Sequence, residues 1–256
     1  MKNLFITITC LLLSINVLFA QHARFTSSGS IEFEKSSNMN ALMKKMYGNQ
    51  QGIMQQVIEQ YQKTQPQFKV SKSTLIFNID KTLFTPVAEQ LISSSFTVPM
   101  ADQPNTVYTD LSAHTSTVQK NISDANFLVK DSVRKIKWKI TDETREIAGY
   151  PCRRANGLVL DSIYVVAFYT DKIAVSGGPE SFNGLPGMIL EVALPHENVT
   201  WIAKKVTDVQ IPAATIVPPK KGKAMNNKQM SDFIKGLIGT RTDAVQANFI
   251  MKGYML

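Results

Sequence analysis

The spacing of apolar positions along the chain changes several times, and each change marks a different element. In residues 24–33, Ile31 and Phe33 alternate with Glu32 and Glu34, the two-residue period of a strand with one wet face. Then Met39, Leu42, Met43, Met46, Ile53, Met54, Val57, Ile58 and Tyr61 recur at steps of three and four, which places them on one helical stripe. Gly48 and Gly52 weaken its middle, so the pattern predicts either one helix with a loose turn or two helices, ended by Thr64-Gln65-Pro66. From Phe68 the period returns to two. Leu75, Phe77 and Ile79 alternate, Asp80-Lys81 reads as a turn, and strands are predicted over 82–87, 107–111, 127–133, 134–140 and 147–155. In the segment 134–140, Ile136, Trp138 and Ile140 oppose Lys135, Lys137 and Lys139, the pattern of a half-buried antiparallel strand with a basic outer surface. Residues 158–169 are apolar on both faces and suit a central strand. Residues 188–194, a turn at 195–198 and residues 199–206 read as a hairpin.

The sheet pattern then stops. Three prolines and three lysines in 211–223 predict a surface loop, Asn226 with Gln229 three residues on predicts a helix cap, and residues 243–256 read as a second helix or an extended arm. Many short strands with an early and a late helical segment predict an α+β fold: a curved, largely antiparallel sheet, of which a half-barrel is one form, with an N-terminal helix packed on it and a C-terminal helical segment. The predicted organisation is 1–20 as a leader, 21–210 as a β-rich domain, and 211–256 as linker and helical segment.

The leader reading rests on Met1-Lys2-Asn3 followed by an apolar run closing near Ala20, the layout of a secretory signal peptide. With Cys10 in that leader, Cys152 is the one cysteine left, so an exported chain would have no internal disulfide and would depend on a packed core. The formal charge of +8 favours anionic envelope surfaces or acidic partners over nucleic acid. No later stretch has the length or purity of a membrane-spanning helix.

Candidate chemistry is sparse. His22 lies near the leader, His114 among Ser112, Thr115 and Ser116, and His196 in a hairpin turn; none stands in a nucleophile motif. No zinc or calcium spacing occurs, and Met39, Met43 and Met46 read as adaptable core filling before they read as a copper site. No catalytic residue, metal or cofactor is assigned. Glu191 interrupts the apolar run 188–194. It either faces solvent or points inward against a cation such as Arg153 or Arg154.

The stretch GGPESFNGLPGMILE, residues 177–191, packs four glycines and two prolines ahead of a strand. Gly177-Gly178-Pro179 reads as a sharp exit from a strand, Asn183-Gly184 as a tight turn, and Leu185-Pro186-Gly187 as a type II turn with proline and glycine at its centre. The segment is therefore expected to set backbone shape. It lacks the features of a phosphate cradle.

Gly184-Leu185-Pro186-Gly187-Met188-Ile189 resembles the GLPGLI signature of a family of exported proteins from Bacteroidota-type bacteria. Trp138 with Ile140, residues 147–155, Phe168-Tyr169-Thr170, Gly178-Pro179 and Ile189-Leu190-Glu191 are similar too, in the family's order over roughly 31–206. The resemblance implies an envelope protein, periplasmic, outer-membrane associated or secreted, of unknown biochemical role, and brings no catalytic residues. From the residues we expect a non-enzymatic protein that binds an apolar ligand, a lipid or an envelope protein partner. Tyr150, Cys152, Tyr169 and Glu191 are its candidate binding residues, and Gly178, Pro179, Gly184, Leu185, Pro186 and Gly187 its structural motif. The competing expectation is an exported hydrolase or peptidase accessory with a site near Cys152, Tyr169 and Glu191.

Overall fold

Strand β1 (Gly29–Asn38) sits in the middle of the sheet, and its alternation decides what the core receives. Ile31 and Phe33 point inward and are fully buried, while Glu32 and Glu34 lie on the other face. The same alternation carries Lys35 and Ser37 inward as well. The computed structural model describes residues 26–48, 52–88, 97–240 and 242–256; the leader reading of 1–20, and His22 and Cys10, lie outside the described residues.

Two meanders flank β1. On one side run β2 (Phe68–Phe77), β3 (Lys81–Pro86), β4 (Thr106–Asp110), β5 (Thr115–Ile122) and β6 (Ala125–Ser132). On the other, reading outward, run β11 (Val199–Asp208), β10 (Met188–Leu194), β9 (Ile163–Thr170), β8 (Tyr150–Val159) and β7 (Lys139–Ile147). Every pairing is antiparallel except that of β12 (Lys223–Met225) with β6, which is parallel. Together the described strands form one 12-stranded sheet with β12 and β7 at its edges. The fold is α+β, and the sheet does not close.

The connection from β6 to β7 shows that the sheet is strongly curved. It joins strands ten places apart, which in a flat sheet would lie about 48 Å from each other. Seven Cα steps separate Ser132 from Lys139, and they reach about 25 Å at most. The sheet must therefore curl until its two wings approach. This corrects the expectation for 134–140: residues 133–138 are an extended crossing between wings and belong to no strand, although Lys135 and Lys137 do face solvent. Trp138 straps the crossing down, with its Nε1–H donating to the Asn183 carbonyl at 2.9 Å.

Three other expectations shift. The stretch 147–155 is divided by a turn at Ala148-Gly149, where both residues have positive φ, and the polar residues before it form the edge strand β7. Leu160 and Asp161, also at positive φ, end β8, so 158–169 is the end of one strand and the start of the next. Strand β5 was not expected, because its Thr, Gln, Lys and Asn residues hide the alternation.

The early helical stripe is two helices, α1 (Met39–Tyr47) and α2 (Ile53–Thr64), separated at the weak point that the glycines mark. Met39 and Met43 are buried in the core beside Leu42. A one-turn helix α3 (Pro99–Asp102) buries Pro99, Met100 and Ala101. Helix α4 (Asn227–Ile238) starts at a capping box between Asn226 and Gln229 and buries Met230 and Ile234 against Ile122, Phe127 and Val129. Helix α5 (Ala244–Met255), capped by Asp243, brings Phe249 into the main core. Glu197, buried in the β10–β11 turn, binds Lys45 of α1 at 3.2 Å and Lys252 of α5 at 3.1 Å, which ties both helices to the hairpin.

Candidate functional site

Charged residues inside an apolar core are the informative ones, and three of them lie near one another. Lys35 of β1 is 6 % exposed, Lys120 of β5 is 4 % exposed, and Glu180 of the glycine- and proline-rich segment is 8 % exposed. The first two are there by register. Lys35 continues the inward row of Ile31 and Phe33, and Lys120 lies between Val118 and Ile122 on the inward row of β5. The curl of the sheet brings the two rows toward each other.

Glu180 arrives differently. Residues 174–187 cross the inner side of the sheet, packing Phe182 against Trp201 with ring centroids 5.9 Å apart. Gly178 lets the turn close: a Cβ there would stand 2.7 Å from the Phe182 carbonyl oxygen. Gly187 has φ +145, and a Cβ there would stand 2.1 Å from the Thr170 carbonyl oxygen. The Gly187 N–H donates to the Leu185 carbonyl at 2.8 Å, so the bend around Pro186 is a three-residue turn, tighter than the expected type II turn. At the tip Glu180 itself adopts φ +51, a left-handed conformation that costs a non-glycine residue about 1–2 kcal/mol.

The Glu180 carboxylate accepts a hydrogen bond from the Asn105 amide at 3.1 Å, and the Asn105 side-chain oxygen accepts from Lys120 Nζ at 3.4 Å. Lys35 Nζ donates to the Ala101 carbonyl at 3.3 Å and lies 5.0 Å from the centre of the Trp201 ring. Burial raises the pKa of Glu180, and Lys35 and Lys120 pull it back down. Burial lowers Lys35, opposed by Glu180 and Asp102. Burial likewise lowers Lys120 to about 8, against the pull of Glu180 and with the push of Arg134 and Lys35.

Lys35, Asn105 and Glu180 of this cluster line a cavity of about 420 Å³ whose walls include Phe84, Pro86 and Trp201, while Lys120 lies outside the lining. Exposed Val87 and Ala88 stand at its mouth. Ser73 Oγ and Gln103 Oε1, both on the lining, are buried without a hydrogen-bond partner among the described residues. Lys69 and Asp102, also on the lining, pair at 2.6 Å. The arrangement is a largely apolar recess with buried charge on its floor, a layout that suits a small-molecule site.

Sequence reasoning missed Lys35, Lys120, Glu180, Ser73 and Asn105. Two of them carried a signal: extending the alternation of β1 by two residues puts a lysine on the core face, and an acid at the tip of a Gly-Gly-Pro turn would have been worth tracking.

The residues singled out from the sequence lie elsewhere. Cys152 and Tyr169, on neighbouring strands, line a second groove together with Thr144 and Arg153. Tyr150 is half-buried, and its carbonyl accepts from the Cys152 thiol at 3.4 Å. Burial, reinforced by the charge of Glu191, pushes that thiol up to about 12. Glu191 is buried and paired, but with Arg145: Nη1 lies 2.9 and 3.2 Å from its two oxygens. The Arg145 guanidinium also stacks 3.5 Å over the Phe168 ring. Arg154 pairs instead with Glu143. His114 and His196 are exposed in turns. Gly184 and Gly187 hold positive φ, while Leu185 is fully buried. Among the described residues no cluster of three His, Cys, Asp or Glu side chains could hold a metal, and no helix is long and apolar enough to cross a membrane.

Residues 157–191, which run from the end of β8 through the turn segment into β10, match the model of a family described as a protein of unknown function (Porph_ging). Among solved structures, PNGF-II in its P21 crystal form is similar, with 16 % identity and a TM-score of 0.50 over 81 % of this chain and 33 % of that one. The C2 form gives 14 % identity and 0.50 over 88 % and 33 %. An uncharacterized conserved protein from Thermus thermophilus aligns at 5 % identity and 0.39, over 83 % and 98 %. This chain spans about a third of the PNGF-II chains, and at these identities the likeness is one of fold. No curated protein matches.

Proposed function

We propose that the protein is a non-enzymatic binding protein of the cell envelope, exported by way of its N-terminal leader and akin to the GLPGLI proteins, and that the recess above Lys35 and Glu180 is its ligand site. The observation that carries this reading is the coincidence of an apolar recess of about 420 Å³ with buried charges and unpartnered polar atoms on its floor. Burying an ionised side chain is costly, and a stability-driven core would exclude it. A site that must recognise a polar group on an otherwise apolar molecule requires it.

The competing reading, a hydrolase or peptidase accessory centred on Cys152, Tyr169 and Glu191, meets two obstacles. A thiol held near pKa 12 supplies almost no thiolate at neutral pH. Burial raises the pKa of Glu191, but both its oxygens accept from Arg145, so neither is free to take a proton from a substrate. We therefore assign Tyr150, Cys152, Tyr169 and Glu191 to the packing of the β7–β10 wing.

Native mass spectrometry of the protein isolated gently from an envelope fraction tests the reading. The expected spectrum has a species shortened by the leader and carrying one small molecule, released on denaturation. A mass that retains residues 1–20, or a bare mass that also fails to bind lipophilic dye, would contradict it.

A further inference from the structure

The donors and acceptors on the floor of the recess do not balance, and the imbalance has a sign. Lys69 and Asp102 pair with each other at 2.6 Å and cancel. What remains on the lining is the buried Lys35 and the exposed Lys72 against one carboxylate, Glu180; outside the lining, Lys120 and Arg134 add positive charge that acts on Glu180. Glu180 is already engaged by Asn105. The ammonium of Lys35 has three N–H donors and, among the described residues, one hydrogen-bond acceptor, the Ala101 carbonyl. The Trp201 ring lies at 5.0 Å and offers it a π face, not a lone pair. Ser73, 6 % exposed, adds a hydroxyl on the same lining with no partner among the described residues. Unused donors therefore face the recess from two adjacent strands, with Lys35 on β1 and Ser73 on β2, while its upper walls are the apolar Phe84, Pro86 and Trp201.

We infer that the occupant of the recess is a small amphipathic anion, a monocarboxylate-like molecule whose oxyanion seats between Lys35 Nζ and Ser73 Oγ and whose hydrocarbon lies along Phe84, Pro86 and Trp201. This rests on the binding reading above and deepens it. An oxyanion supplies the acceptors that Lys35 and Ser73 lack and compensates the surplus positive charge, which no neutral ligand can do. A cationic headgroup would be repelled by Lys35, which already lies over the Trp201 ring. The volume of the recess, at the small end of ligand sites, suits a short chain and excludes a whole phospholipid.

Calorimetric titration with three probes of one chain length separates the headgroup from the cavity: octanoate, octanol and octylammonium. Octanoate is expected to bind the wild-type protein roughly tenfold or more tightly than octanol, the worth of a charge-assisted hydrogen bond. Lys35→Met should bring octanoate down to the level of octanol and leave octanol within about twofold of its wild-type value. Ser73→Ala, which removes an unpartnered hydroxyl and should fold normally, is expected to weaken octanoate several-fold and spare octanol, so the inference stays testable even if the lysine variant fails to fold. Octanol binding as well as octanoate, octylammonium binding best, or variants that weaken octanoate and octanol alike would overturn the anion inference while leaving the cavity as a binding site. Failure of all three probes to bind would overturn both.

Discussion

Glu180 carries two costs at once, a left-handed backbone and a carboxyl group taken out of water, and both are relieved only through its neighbours. Lys120 is the clearest of these neighbours. With its folded pKa lowered from 10.5 to about 8, the folded state binds fewer protons than the unfolded one between those values, so stability rises with pH across that window. The size of the rise is on the order of 3 kcal/mol. Lys120→Met should flatten the corresponding part of the profile, as measured by denaturant midpoints near pH 8 and pH 10; identical profiles for both proteins would contradict the burial of this charge. Arg145 works the other way. Replacing it by Ala strands the buried Glu191 and should cost about 2–3 kcal/mol, somewhat below the range for a fully buried pair because the guanidinium is half-exposed. Adding Glu191→Gln should recover most of that loss. The Cys152 thiol is expected to resist iodoacetamide at pH 8 until the protein unfolds, whereas rapid alkylation of the native protein would reopen the enzymatic reading.

At the scale of elements, the turns govern where the functional groups go. Gly187→Ala would set a Cβ against the Thr170 carbonyl in a backbone conformation that alanine avoids, at the point where β9 meets β10. A loss of several kcal/mol is expected, read as a drop in the thermal midpoint; a change near zero would mean that the turn relaxes freely. The elements that were legible in the sequence had strong local periods. Strand β10 falls on residues 188–194 as expected, α4 begins at its Asn226 cap, and the divided early helix follows from Gly48 and Gly52. Strand β5 was illegible because its inward row mixes Val118 and Ile122 with Lys120, so a buried charge erased the apolar alternation that marks a strand. Lys35 was legible only by extending the alternation of β1 two residues beyond Phe33. Residues 133–138 misled in the opposite direction, since a connection packed between two wings acquires the same two-sided pattern as a strand without any strand partner. The partner of Glu191 lay beyond local reading, because Arg145 is 46 residues away in the chain and three strands away in the sheet order.

Over the whole molecule, curvature is the property from which the site follows. One crossing of limited reach forces the two wings of a 12-stranded sheet together, and the turn segment 174–187 fills the space between them. Trp138 holds the crossing through the Asn183 carbonyl and contacts near Gly157 and Gly184. Trp138→Ala should therefore cost about 2–3 kcal/mol, less than a fully buried Trp. It should also speed amide exchange in 174–187, although Trp138 itself does not touch the recess. Loss of stability without altered exchange there would argue against the strap. The central claim, that the recess is a binding site, is tested most directly by calorimetric titration of a lipophilic dye into the purified protein and into Ser71→Trp, which fills the recess from its wall. One dye per chain for the wild type and none for a normally folded variant is the expected result; no binding by the wild type, or equal binding by both, would contradict it.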